Sequence, residues 1–559
     1  MIAMITRRNF IRNSAVGAGL TLVAANGALA AGPDGAPLPP RVSRSAFDSA
    51  LDALRAIVGP RNVFSDSDQL VGYNDHFAMK PPEEHAPSGA VAPTSVDQIQ
   101  RVLAVAREHG IPVWTISTGR NLGYGGAAPR MPGTLVLDLK RMNRIIEVNE
   151  KHCYAIVEPG VSYTELYRHL RRTGSRLWID CAAPGWGGVV GNLLDRGVGY
   201  TPMGEHFLQQ QCGMQVVLSD GTVVDTGMGG QAGQAAMSVY RYGNGPWVDG
   251  LFTQSNLGVV TRMGVQLMPQ PPGYRPYMVT FADEDAIQPI TEVVRPLKLA
   301  QLIPNAATST ELVWEAAVEK RKDQYYTGEG ALPDSARRAI MDDLDVGNWS
   351  FYGALYGTEE MMDATWEVLR DSFSTIRGAR FFSEAEKGHT ASWQYRAKLM
   401  RGEPNMTEFG TVAWIPNAAH VGFGPVVPVD GELALRQYTK VRQMSEEAGF
   451  DYFGEFIVGW RDMHHIYMPA FRRDRPEEKA RLLELLDRLI DDATEDSFGV
   501  YRTHLDLMDK VASSYSWNDG ALGRLNSRLK AAIDPSGILA PGKSGIWPSQ
   551  FCEGDLPCG

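Results

Sequence analysis

The chain has 559 residues, 44% hydrophobic and 21% charged, which is ordinary globular composition with ample material for large cores; its length suggests roughly three to four structural units and fits one large enzyme of two domains equally well. With 54 Lys+Arg against 65 Asp+Glu, a net charge of −11 and no long basic run, it is poorly suited to nucleic acid, where phosphate neutralisation supplies most of the affinity. Five cysteines in a chain this long make no disulfide framework, and C-x-x-C and H-E-x-x-H are both missing, so no local signature of a metal site is present.

The first thirty residues read as a targeting segment. Thr6-Arg7-Arg8-Asn9-Phe10-Ile11 is a twin-arginine pattern, Ala15 to Ala25 is a short apolar run, and Ala28-Leu29-Ala30 is an A-x-A cleavage site. The run is too short and too rich in Gly and Ala for a bilayer span of roughly 20 residues. No other uninterrupted apolar stretch is long enough to span, so no membrane association is expected. The expectation is export to the periplasm by the twin-arginine route, which carries proteins already folded, commonly around a cofactor. Removing residues 1–30 deletes three arginines and no acid and takes the net charge to −14.

Residues 31–46, rich in Pro and Gly, read as a linker. Helical spacing of apolar residues follows over 46–59 and again from Val96 to His109, where Gly110 and Pro112 end it. Val113 to Ser117, Leu135 to Leu139 and Tyr154 to Glu158 read as strands, and Met214 to Thr226 reads as a hairpin around Asp220-Gly221. The cluster Met268-Pro269-Gln270-Pro271-Pro272-Gly273 is the best domain boundary. Beyond about residue 275 longer helical patterns appear, such as Pro476 to Ala493. The organisation is α+β, without internal repeats.

Two nucleotide motifs fail on context. Gly537 to Ser544 matches the P-loop spacing, but Trp547-Pro548 follows at once and no helix has room to begin. Gly123-x-Gly125-x-x-Ala128 resembles a dinucleotide fingerprint, but Pro129 and Pro132 interrupt the helix it needs. The same loop reads better as an anion nest. Ile116, Ser117, Thr118, Gly119, Arg120 and Asn121 follow a strand and precede the run Leu122 to Gly126, so consecutive backbone N–H groups and the Arg120 charge suit a diphosphate without a Rossmann helix.

Longer segments carry a resemblance. Gly119 to Pro129, Val157-Glu158-Pro159-Gly160-Val161, Asp195 to Pro202, Tyr501-Arg502-Thr503-His504-Leu505 and Ala540 to Gln550 are similar to the vanillyl-alcohol oxidase / 4-cresol methylhydroxylase flavoproteins. The resemblance covers nearly all of residues 47–550. It implies a two-domain, non-Rossmann FAD-binding fold: an FAD-binding domain over 47–272, a cap or substrate domain over 273–500, and a C-terminal return over 501–559. It also implies oxidation of para-substituted phenols, a homodimer, and a c-type cytochrome or dioxygen as electron acceptor.

In that family the phenol binds as phenolate, and lowering a phenol pKa from about 10 needs positive charge and strong donors. Tyr124, Tyr501 and Arg502 match the phenolate-binding trio. His420 matches the histidine that carries FAD covalently in the oxidase branch, while Val412 stands where the hydroxylase branch has its tyrosine linkage. Glu408 and His464, the latter in a His464-His465 pair, match pocket positions. Asn192, Arg196, Tyr200, Val260 and Lys543 fall with the cofactor-binding residues. Ala183 occupies the place of the oxidase branch's aspartate, and Glu455 adds a carboxylate elsewhere. This is the hydroxylase-type pattern, with Glu455 as the base that activates water against a quinone methide. Met468, Trp414, Phe423 and Phe456 are further candidates for shaping the pocket.

Overall fold

The computed structural model describes residues 36–203, 210–233 and 235–551; the twin-arginine segment lies outside the described residues. Among the described residues no helix is long and apolar enough to cross a membrane.

The N-terminal part carries two small sheets. In the first, Gly89–Val91 and Val113–Ile116 run parallel to Leu135–Asp138, and Val63–Phe64 closes one edge antiparallel. Parallel strands need cover, and these strands are nearly all apolar. Helices Arg44–Val58 and Val96–His109 supply the cover through Phe47, Leu51, Leu54, Ile99, Val102 and Leu103. The Ser43 and Ser95 side chains cap their N-termini, and Gly110 ends the second in the left-handed region at φ 66°. The second sheet is antiparallel, in the order Ile145–Asn149, Tyr154–Val157, Val259–Gln266, Gln211–Val217, Val223–Asp225. Its core is shared with helices Tyr163–Arg172 and Val189–Leu194.

A third, eight-stranded antiparallel sheet begins with Gly273–Phe281 and ends with Gly499–Val500. Helices Ile287–Leu299, Glu359–Ser374, Gly431–Glu447 and Pro476–Glu495 pack on one face. Helices Leu312–Glu319, Asp334–Leu344 and Ala391–Met400 pack on the other, where Tyr352, Ile457 and Ile466 point. Because Gly499–Val500 is the edge strand, paired with Pro425 and Val426, the next two residues, Tyr501 and Arg502, leave the sheet directly toward the N-terminal part. The chain then returns there. Ile538 and Leu539 enter the first sheet's core, and Leu539 bridges Val113 in parallel. Lys530, fully buried, holds this return by donating to Asn256 O, Leu539 O and Asp534 Oδ2 at 2.6–2.7 Å.

One expectation is corrected here. Residues 36–43, read as linker, are docked: Leu38 is buried in the first sheet's core, and the helix starts at Arg44. The approach is so close that a Cβ on Gly133 would lie 2.3 Å from Leu38 O. Proline-rich chain loses little backbone entropy on docking, and Val42 joins Leu38 against that core while Ala36 packs on a neighbouring one. The P-loop-like segment opens no helix; Gly542 and Ser544 are left-handed around a single 3₁₀ turn.

Candidate active site

A cavity of about 340 Å³ lies between the eight-stranded sheet and the N-terminal part. One wall is the loop after strand Val113–Ile116. Gly119, Gly123 and Gly125 hold positive φ, and a Cβ on Gly125 would lie 2.3 Å from Leu505 Cγ, so this loop packs directly on the returning chain. The helix Val189–Leu194 seats against the same loop, where a Cβ on Gly191 would meet Ser117 Oγ at 2.1 Å. All six residues Ile116 to Asn121 line the cleft, with Asn192, Tyr200, Val260 and Lys543. Arg196 does not. Its backbone is left-handed at φ 55°, and its side chain donates to Thr253 Oγ1 at 3.0 Å, away from the lining.

The structure brings Tyr124, Tyr501 and Arg502 together. The Arg502 guanidinium lies 3.9 Å from the centre of the Tyr124 ring. Two glycines make room for the phenols. A Cβ on Gly422 would lie 2.3 Å from Tyr124 Oη, and one on Gly424 would lie 3.1 Å from Tyr501 Cε1. Burial raises both hydroxyls' pKa, which leaves them protonated and able to donate. Arg502 is itself anchored: its Nε lies 3.1 Å from Asp195 Oδ2, and its Nη2 donates to Asn121 Oδ1. Lys543 reaches the other Asp195 oxygen at 3.3 Å. Burial opposes the Asp195 charge, but Lys543 and Arg502 outweigh it and hold the carboxyl at about 2. Asp195 was missed in the sequence, although it begins the Asp195 to Pro202 segment. Its signal was an acid beside a quoted motif, and its two cations lie more than 300 residues away.

Glu408 and Glu455 line the cleft from the cap side. Strand alternation sends Glu455 and Ile457 into the cleft and Phe456 to the other face, where it stacks on His465. Burial raises Glu455 to about 7, against the pull of Arg396 and the Thr310 hydrogen bond. Burial and the nearby Glu455 charge raise Glu408 to about 8. The pair therefore keeps a proton near neutral pH.

His420 also lines the cleft. Burial lowers its pKa to about 4, so the ring is neutral, and its buried Nδ1 has no hydrogen-bond partner. A Cβ on Gly123 would lie 2.9 Å from that nitrogen. His464 packs its ring 4.5 Å from Tyr501, behind the lining rather than in it. His465 points to the opposite face and bonds Tyr452 Oη at 2.7 Å. Of the shaping candidates only Met468 reaches the cleft. Trp414, Phe423 and Phe456 lie in cap cores, because each belongs to a side of its element that faces a packed helix or sheet.

Fold and cleft together define a two-domain oxidoreductase built to hold FAD without a Rossmann helix. Residues 87–227 match the FAD binding domain family, and residues 354–544 match the C-terminal domain of FAD linked oxidases. The chain is 42% identical over 512 residues to the 4-cresol dehydrogenase (hydroxylating) flavoprotein subunit of Pseudomonas putida, which spans 91% of this chain and 97% of that protein. Among solved structures, the 4-ethylphenol oxidase of Gulosibacter chungangensis in its isoeugenol complex has a TM-score of 0.90 and 39% identity, covering 92% of this chain and 100% of that one. p-Cresol methylhydroxylase with substrate bound has a TM-score of 0.89 and 42% identity, covering 91% and 99%. The chain belongs to the vanillyl-alcohol oxidase / 4-cresol methylhydroxylase family of FAD-dependent oxidoreductases.

The residues present fit FAD. The cleft draws its lining from Trp114 and Leu539 as well as from Met468, and glycines at 119, 123 and 125 let its loop turn with positive φ. Ser117 to Asn121 suit the diphosphate, and the unpartnered His420 Nδ1 lines the same cleft beside Gly123.

Proposed function

We propose that the enzyme oxidises a para-substituted phenol at its benzylic carbon. The observation that carries this reading is the placement of one buried cation, two protonated tyrosines and a carboxylate pair that keeps a proton around a single cleft. Arg502, Tyr124 and Tyr501 bind the phenolate oxygen: the guanidinium balances its charge and the hydroxyls donate to it. FAD, when bound, supplies the acceptor for the hydride lost from the para substituent. The substrate left behind is a neutral quinone methide. Water then adds its hydroxyl to the benzylic carbon, Glu455 takes the released proton, and the ring oxygen becomes phenolate again. Glu408 holds the second proton site of the pair.

A c-type cytochrome is the first acceptor in this reading; the name of the Pseudomonas relative, a dehydrogenase and a flavoprotein subunit, favours a separate partner over dioxygen. The similarity to an oxidase favours dioxygen as the second reading. Stopped-flow reoxidation by air against oxidation by cytochrome c separates them. His420, neutral and open at Nδ1, is the candidate for a covalent link to FAD, and acid precipitation that keeps the yellow colour in the protein tests it. Export to the periplasm and a homodimer complete the reading, supported by the N-terminal pattern and the family resemblance.

Glu455→Gln tests the mechanism, since it keeps size and hydrogen bonding but takes no proton. With 4-ethylphenol, single-turnover flavin reduction should stay within about tenfold while water addition slows about 10²–10⁴-fold. Product should shift from benzylic alcohol to the vinyl phenol. The same alcohol at the same rate and enantiomeric ratio would remove Glu455 from the role.

A further inference from the structure

Behind Glu455 lies a buried charge network that the chemistry above does not use. Thr310 faces Glu455 in the antiparallel register of strands Ala307–Glu311 and Gly454–Val458, and its Oγ1 donates to Glu455 Oε2 at 3.2 Å. The same Oγ1 accepts from Arg396 Nη2 at 3.0 Å. Arg396 is 1% exposed, and its Nη1 lies 3.0 Å from Glu315 Oε1. Its guanidinium sits over the Tyr352 and Tyr395 rings at 4.2 and 4.5 Å, and Tyr352 Oη donates to the second Glu315 oxygen at 2.9 Å. One guanidinium thus serves two carboxylates. It touches Glu315 directly and reaches Glu455 through one hydroxyl.

The relay has a direction. A hydroxyl carries one proton, so a Thr310 that accepts from Arg396 gives its own proton to Glu455 and favours the carboxylate there. A direct fork to Arg396 would stabilise that carboxylate so strongly that it took up protons poorly near neutral pH. With no link, burial would leave a neutral acid. The remaining groups facing Glu455 are Glu408, which burial and the Glu455 charge keep protonated to higher pH, and Tyr200 and Tyr395, whose hydroxyls burial keeps neutral. We propose that Arg396 is a positioning residue for water activation, acting on Glu455 through Thr310, with Glu315 competing for its charge. The inference rests on the reading of Glu455 as base.

The test follows the Glu455 carboxyl by infrared difference spectra across pH on the FAD-loaded full chain, the band being identified by its loss in Glu455→Gln. This readout needs no turnover, so it judges the network even where product analysis of Glu455→Gln rejects the base. Thr310→Val keeps the shape and cuts the relay; the midpoint should rise by about one pH unit. Thr310→Ser restores the hydroxyl and should restore the midpoint. Glu315→Gln removes the competitor, and the midpoint should fall by a similar amount. The pH profile of the alcohol-to-vinyl ratio should follow these opposite shifts while the rate of flavin reduction stays put. Midpoints unmoved in Thr310→Val and Glu315→Gln, or moved the same way in both, would overturn the proposal. If Glu315→Gln yields no folded protein, the Val and Ser pair decides: a serine midpoint equal to that of valine sinks it.

Discussion

Arg502 works in this site because several partners hold it at once: Asp195, Asn121 and the face of Tyr124. A lysine keeps the charge but not the fork or the stack. Arg502→Lys should therefore lower phenol oxidation about 10²–10³-fold, the usual loss for one oriented donor to a developing oxyanion. FAD content should be retained, and binding of a phenolic inhibitor should require higher pH. Unchanged turnover with an unchanged pH profile would take Arg502 out of the phenolate role. Tyr124, Tyr501, Arg502 and Glu408 were legible because each sits in, or aligns with, a family position. Asp195 was not, since an acid's role depends on which cations fold against it. Arg196 shows the converse: it lies inside a matched segment, yet its left-handed backbone turns its side chain to Thr253.

The segment Tyr501 to Asp506 does more than present two side chains. Two residues beyond Arg502, buried His504 donates to Asp75 at 2.7 Å and lies 3.3 Å from Asp506, which also bonds His85. Burial works against the imidazolium, but Asp506 and Asp75 outweigh it and raise His504 to about 9. A raised histidine stabilises the fold fully below its unfolded pKa near 6.5, and that contribution is lost as pH climbs through about 9. The wild type should lose up to about 3 kcal/mol of unfolding free energy over that window through this group. Denaturant titrations at several pH values should show this slope missing in His504→Gln; parallel curves for the two proteins would contradict the assignment. The clamp matters to the site because Leu505, between its two members, is the surface on which Gly125 and the cofactor loop rest. Strand elements were readable as short apolar, β-rich runs, and the period-two rule explains why Glu455 faces the cleft and Phe456 does not. The candidates Trp414 and Phe423 failed because an apolar residue in the cap suits a core as well as a pocket wall.

Across the whole molecule, the cleft is assembled from both ends of the chain. Strand Val113–Ile116 supplies the loop, the edge of the cap sheet supplies Tyr501 and Arg502, and residues near 540 close the floor beside Val113. Such a site exists only after folding is complete, which agrees with the proposed export of a folded, FAD-loaded protein by the twin-arginine route. Replacing Arg7-Arg8 by Lys-Lys should leave yellow holoprotein in the cytoplasm, read by fractionation and flavin absorbance. Export that persists in that variant, or exported wild type without flavin, would count against the route.

Local chemistry was enough to place a first helix near 46–59, within two residues of its true start at Arg44, the helix Val96–His109, the apolar strands, the glycine loop and the failure of the P-loop pattern, because periodicity, glycine and proline act within a few residues. Motif matches named Tyr124, Tyr501 and Arg502 because each sits in a short run that is read without knowing the fold. What tertiary structure alone decided is the electrostatics. The clamp of Lys543 and Arg502 on Asp195, the carboxylate pair and the Arg396 relay all join residues far apart in sequence, and their proton affinities come from burial and distances of about 3 Å. A Coulomb term at that range, between groups that folding largely buries, is set by the fold and not by any neighbour in the chain.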